Sequence, residues 1–130
     1  MSRPIRSRWG LRPVQSSLEA APGTRIRFLV EATNWGPGPG AVHLRASSEW
    51  PVTVQPESAR LDAGHIHLAA VRVEVPAEAM LGERMAIHVV LHGAARPVEC
   101  DLEVVVAGDR AVVVPTLARS LRGGASKGGR

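Results

Sequence analysis

Between Thr24 and Ala32 apolar and polar residues alternate, with Ile26, Phe28, Val30 and Ala32 on one side and Arg25, Arg27 and Glu31 on the other. Successive side chains of an extended chain point to opposite faces, so this spacing predicts a half-buried β-strand. Pro22-Gly23 before it and Asn34-Trp35-Gly36-Pro37-Gly38-Pro39-Gly40 after it read as a turn and a loop. Pro fixes φ and lacks a donor, and Gly admits positive φ. The alternation returns in Ala41–Ala46, with Val42 and Leu44 inward and His43 and Arg45 outward, and briefly in Val52-Thr53-Val54. It returns again in Met85, Ile87, Val89 and Leu91 opposite Arg84, Ala86, His88 and His92, and in Val98, Cys100, Leu102, Val104 and Val106 against Glu99, Asp101 and Glu103. These last two runs flank Gly93 and predict a hairpin. Val14–Leu18 is a candidate first strand.

From His65 to Val75 the alternation changes phase. Ile66 and Leu68 share one face, while Val71, Val73 and Val75 share a face that begins three residues after Leu68. A strand of period two buries both sets only with an extra residue between them, which predicts a β-bulge or a sheet-switching bend at Ala69-Ala70. Pro76–Gly82 has room for one helical turn. With strand signals at regular spacing and no amphipathic helix of useful length, the pattern specifies an all-β chain folded as a two-sheet antiparallel sandwich of about seven strands.

Length and composition fit one core. The 130 residues are 45% hydrophobic, with no Tyr and a single Phe, so that core is aliphatic. Charge divides the chain further. Residues 1–13 carry Arg3, Arg6, Arg8 and Arg12 and no acid, and residues 110–130 carry five basic residues and no acid. Residues 14–109 hold the other seven basic residues and all twelve acids, a net charge of −5. An acidic sandwich over 14–106 therefore stands between a basic N-terminal arm, 1–13, and a C-terminal tail, 107–130. The tail contains an extra apolar run, Ala111–Val114, then Leu117 and Leu121 at helical spacing beside Arg119 and Arg122. Trp9, in the arm, either anchors a partner or folds back on the sandwich. Cys100 is the single cysteine, which excludes an intrachain disulfide. Without an apolar leader region or a run of membrane-spanning length, the expectation is a cytoplasmic or virion-associated chain with no signal peptide.

Candidate chemistry is sparse. His43, His88 and His92 all face outward and are expected to converge on one sheet face, and His65 and His67 on the other, where imidazoles suit Zn²⁺ or Cu²⁺. No metal-binding spacing supports either set, and exposed strand histidines are normally solvated. No Gly-x-Ser-x-Gly elbow occurs, Cys100 is expected to point into the core, and Gly36–Gly40 lacks the helix and Lys of a phosphate loop. Glu99, Asp101 and Glu103 alternate on a solvent face, a solubility pattern. No enzyme activity, cofactor or metal is expected.

Three segments together resemble a known family. Pro22-Gly23 with the strand to Thr33-Asn34-Trp35-Gly36, then Glu49-Trp50-Pro51-Val52-Thr53-Val54 leading to Leu61-Asp62-Ala63-Gly64, then Val71–Ala79 with Gly82, are similar to the immunoglobulin-like NEW3/CARDB-type bacterial modules. The resemblance covers about residues 14–106 and implies an immunoglobulin-like sandwich, mostly non-catalytic, often appended to secreted or cell-surface proteins. It also implies a carbohydrate-binding or adhesion role, for which Trp35 is the one loop aromatic.

Taken with the charge pattern, these features favour a structural or interaction subunit that docks in a larger assembly of protein partners, or with further copies of itself, through its basic arms and a sheet edge. The residues expected to touch a partner are Arg3, Arg6, Arg8, Trp9 and Arg12, with Val112, Val114, Leu117, Arg119, Leu121 and Arg122. The alternative is a nucleic-acid-associated protein whose tails neutralise phosphates.

Overall fold

The computed structural model describes residues 8–93 and 96–108. These form nine strands: β1 (Trp9–Pro13), β2 (Ser17–Ala20), β3 (Arg25–Asn34), β4 (Gly40–Ser47), β5 (Val52–Gln55), β6 (Ser58–Leu61), β7 (Ile66–Glu74), β8 (Arg84–His92) and β9 (Val98–Val106). A four-stranded sheet in the order β1-β3-β7-β5 packs on a five-stranded sheet in the order β2-β9-β8-β4-β6. All pairings are antiparallel except β2 with β9, which is parallel. The described chain is all-β, an immunoglobulin-like two-sheet sandwich.

The core follows from the alternation. Phe28, Val30 and Ala32 of β3 and Ala69, Val71 and Val73 of β7 face Val42 and Leu44 of β4, Ile87, Val89 and Leu91 of β8, and Leu102, Val104 and Val106 of β9. All are buried. β8 and β9 form the expected hairpin, with Ile87 opposite Leu102 and Val89 opposite Cys100. Gly23 and Gly64 have φ of 80° and 82°, a backbone state that costs residues with a Cβ, as the turns at Pro22-Gly23 and Ala63-Gly64 require.

Four expectations change. No bulge occurs at Ala69-Ala70, because β7 pairs with β3 in one unbroken register from Arg25 opposite Glu74 to Thr33 opposite Ile66. The valine set takes the inner face and Ile66 and Leu68 turn to solvent, 56% and 53% exposed. Trp9–Pro13 is strand β1 rather than extended arm, since pairing with β3 satisfies its backbone and carries Trp9 into the core at 1% exposure. The first strand of the five-stranded sheet is Ser17–Ala20, beyond Val14, which is 49% exposed. Pro76–Gly82 contains turns and no helix. The two strands that the pattern does not mark are β1 and β6. The C-terminal run Ala111–Val114 and the helical spacing at Leu117 and Leu121 lie outside the described residues.

Candidate functional site

Of the residues expected to touch a partner, Arg3, Arg6, Val112, Val114, Leu117, Arg119, Leu121 and Arg122 lie outside the described residues. Arg8, Trp9 and Arg12 are placed. Arg8 and Trp9 belong to the sandwich. Asn34, at 0% exposure, is the buried polar hub there. Its Nδ2 donates to the carbonyls of Gly38 and Leu61, both at 2.9 Å, and its Oδ1 accepts from the Gly36 amide at 2.9 Å and from Arg8 Nε at 3.1 Å. All hydrogen-bonding capacity of that amide is used. Arg8 Nη2 donates to the carbonyls of Gly38 and Pro39, and its guanidinium lies 5.3 Å from the Trp9 ring centroid, within cation–π range. The glycines of this loop make room: a Cβ at Gly36 would strike the Arg8 side chain, and one at Gly40 would stand 2.9 Å from the Trp9 ring. Arg8 and Trp9 therefore close one end of the sandwich instead of projecting from it. Arg12 is exposed and pairs with Glu31 at 2.7 Å.

The outer face of the four-stranded sheet is where apolar and basic groups reach solvent. Since Ala69, Val71 and Val73 point inward, Ile66, Leu68, Ala70, Arg72 and Glu74 of β7 point outward, beside the outward residues of β3. Across the two strands the pairs are Arg25 with Glu74, Arg27 with Arg72, Leu29 with Ala70, Glu31 with Leu68 and Thr33 with Ile66. At the last rung Gly10 of β1 lies opposite Thr33. A Cβ there would come 2.6 Å from the Trp35 ring, so the glycine lets that indole lie over the sheet. Trp35 remains 64% exposed. One end of the face is thus apolar (Trp35, Ile66, Leu68) and the other basic (Arg25, Arg27, Arg72). An open groove of about 440 Å³ runs between these arginines and Pro51–Thr53. The signal for this face in the sequence is the pair of registers in β7, of which the structure buries only the valine set.

The outer face of the five-stranded sheet brings the histidines together only in part. His43 and His92 stand directly opposite each other, with Ser58 Oγ 3.0 Å from His43 Nδ1. His88 is four residues from His92 along β8, about 14 Å at the rise of a strand. It is held instead by Asp101 at 2.8 Å and Glu99 at 3.0 Å. His65 is exposed and precedes β7, whereas His67 is half-buried on the inner side with Nε2 enclosed and no hydrogen-bond partner among the described residues. No cluster of three or more His, Cys, Asp or Glu suited to a metal occurs among the described residues.

Two titrations follow from this geometry. The hydrogen bond that His88 donates to Asp101, opposed by desolvation and helped by the charges of Glu99 and Asp101, raises the His88 pKa above 6.5. A raised histidine contributes stability that is complete below its unfolded pKa and is lost as pH rises through the folded value. Asp101→Asn is expected to move the His88 titration back toward 6.5, read by NMR of the ring protons. An unchanged titration would remove Asp101 as its cause. Cys100 is half-buried, and desolvation followed by the Asp101 charge pushes its thiol up from 9.0 to about 11. Two pKa units suppress the thiolate about a hundredfold, so alkylation of the native chain by iodoacetamide at pH 8 is expected to be slower than that of the urea-unfolded chain by about that factor. Equal rates would contradict the burial.

No protein-family model matches the sequence, and no curated protein matches it. Solved structures do resemble it. The ASH/PapD-like domain 7 of human CEP192 matches with a TM-score of 0.52 and 16% identity, over 83% of this chain and 89% of that one. A structure of the CsuC–CsuE chaperone–tip adhesion subunit pre-assembly complex, from the archaic chaperone-usher Csu pili of Acinetobacter baumannii, matches with 0.50 and 14% identity, over 79% and 58%. A family 123 glycoside hydrolase from Clostridium perfringens matches with 0.62 and 9% identity, over 78% of this chain but only 28% of the hydrolase chain. At such identities the likeness is one of fold. The chain is similar to PapD-like and immunoglobulin-like β-sandwich domains.

Proposed function

We propose that this chain is a non-catalytic interaction subunit that docks in a larger assembly through the outer face of its four-stranded sheet, with its basic termini and sheet edge as further contacts. The carrying observation is the group Trp35, Ile66 and Leu68, each more than half exposed on one end of one face while Ala69, Val71 and Val73 on the inner side of β7 are buried. Apolar side chains gathered on a surface gain free energy when a partner removes them from water. The edge strand β5, four residues long, adds unpaired backbone groups that a partner strand can use. Similarity to PapD-like domains supports the reading by analogy, since one such neighbour is a chaperone–subunit complex. Membership among NEW3/CARDB-type modules belongs to the same proposal and is supported by the buried Trp50 ahead of β5 and the loop after Asn34. So does a cytoplasmic or virion-associated setting, with which the use of a single cysteine, Cys100, agrees.

A photo-crosslinking residue placed at position 66 of the full-length chain, in its native cells, is expected to give discrete protein adducts that survive nuclease. The same residue at position 19, exposed on β2 of the other sheet, is expected to give none of them. Identical adducts at both positions, or retention of nucleic acid alone, would reject docking through this face and favour phosphate binding by the tails.

A further inference from the structure

Arg27 and Arg72 stand directly opposite each other on β3 and β7, with Arg25 two residues along the same face. Like charges in this position oppose one another. Two outward arginines elsewhere have acidic partners, Arg12 with Glu31 and Arg84 with Glu103, while Arg45 and Arg60, on the other sheet, stand singly with no arginine opposite them. The side chains of Arg25, Arg27 and Arg72 have no ion pair or hydrogen bond among the described residues, and Glu74 opposite Arg25 closes none. Three guanidinium groups thus border an open groove whose one carboxylate, Glu74, forms no ion pair with them among the described residues. At about 3.4 Å per residue, the rung of Leu68 lies about 14 Å from the Arg27–Arg72 rung. Beyond Leu68 come Ile66 and Trp35.

We infer that this face binds a segment of a partner protein carrying two or more carboxylates at one end and apolar side chains at the other. The inference rests on the docking reading above and names the chemistry of the partner. Guanidinium groups bind carboxylates through paired charge-assisted hydrogen bonds, and the apolar end of the segment covers Leu68, Ile66 and Trp35. A nucleic-acid strand fits less well. Its regular phosphates would run from the arginines over Leu68, Ile66 and Glu31, where no further unpaired cation stands among the described residues.

The probe is a display library of random peptides of about 12 residues, long enough for the roughly 27 Å from Arg25 to Thr33, selected on the immobilised full-length chain. Recovered peptides are expected to carry an Asp/Glu tract set apart from Leu, Phe or Trp. Their affinity is expected to fall about tenfold or more for Arg27→Glu/Arg72→Glu, and again for Ile66→Ser/Leu68→Ser. Circular dichroism and the melting temperature are expected to match wild type for both variants, since all four positions are exposed. The inference is overturned by peptides without acidic bias, by none recovered, or by equal affinity for the charge-reversed variant. Tighter binding of oligo-dT through the same arginines overturns it too, as does self-association that charge reversal abolishes. If crosslinks from position 66 lead to a partner segment without carboxylates, docking through the face stands and this inference falls.

Discussion

Trp9→Ala is expected to lower stability by about 3–5 kcal/mol, the range for removing a large aromatic from a packed core. Trp9 is 1% exposed, and the indole fills the space over two glycines: a Cβ at Gly93 would stand 2.7 Å from its Nε1, and one at Gly40 2.9 Å from its ring. The same substitution removes the ring that the Arg8 guanidinium lies against. Urea unfolding of the full-length chain measures the effect. The expected result is a lower midpoint with an unchanged slope, which separates lost stability from a changed unfolded state. Were residues 1–13 an extended arm, the midpoint would stay within the error of the measurement.

Asn34→Ala ranks next, with an expected loss of about 3 kcal/mol, because the hydrogen-bonding partners of a buried amide lose their matches together. The Leu61 carbonyl loses its donor in a buried setting, and the Gly36 amide loses its acceptor. Asn34→Asp keeps the acceptor for Gly36 and Arg8 but turns carboxylate oxygens toward the carbonyls of Gly38 and Leu61, so it is expected to be destabilising as well. Arg8→Ala, at a half-buried position, is expected to cost less than either. The same urea series ranks the variants, and a wild-type midpoint for Asn34→Ala would show that the loop after β3 is held by other contacts.

Much of the sandwich is legible in the residues. Period-two alternation fixes β3, β4, β8 and β9 and their inward faces, and Pro-Gly chemistry fixes the turn at Gly23, because both signals are local. The misreadings share one cause. Whether Trp9 is buried depends on β1 finding β3, with Trp9 opposite Asn34, 25 residues on, and nothing within Arg8–Pro13 encodes that pairing. The polar composition of Ser58-Ala59-Arg60-Leu61 likewise conceals β6, which pairs with β4 and buries Leu61 alone. In β7 the pattern did record two registers, but rules of burial assume that apolar residues go inside. Ile66 and Leu68 instead remain outside because the valines already occupy the inner face in unbroken register with β3. That departure is the feature on which the functional reading now rests. Within the candidate site, the outward directions of Arg25 and Arg27 were readable on their own strand. Their meeting with Arg72 required the register between β3 and β7.

The central claim is that the outer face of the four-stranded sheet is covered by a protein partner. Oxidative footprinting of the full-length chain, free and in its native assembly, tests it most directly, since side chains that a partner covers lose reactivity toward hydroxyl radicals. The predicted result is protection of Trp35, Ile66 and Leu68 in the assembly, while Met80, 73% exposed and in the turn before β8, reacts equally in both states. Equal reactivity of Trp35 and Leu68 in the two states, with protection confined to the five-stranded sheet or to the basic termini, would contradict it.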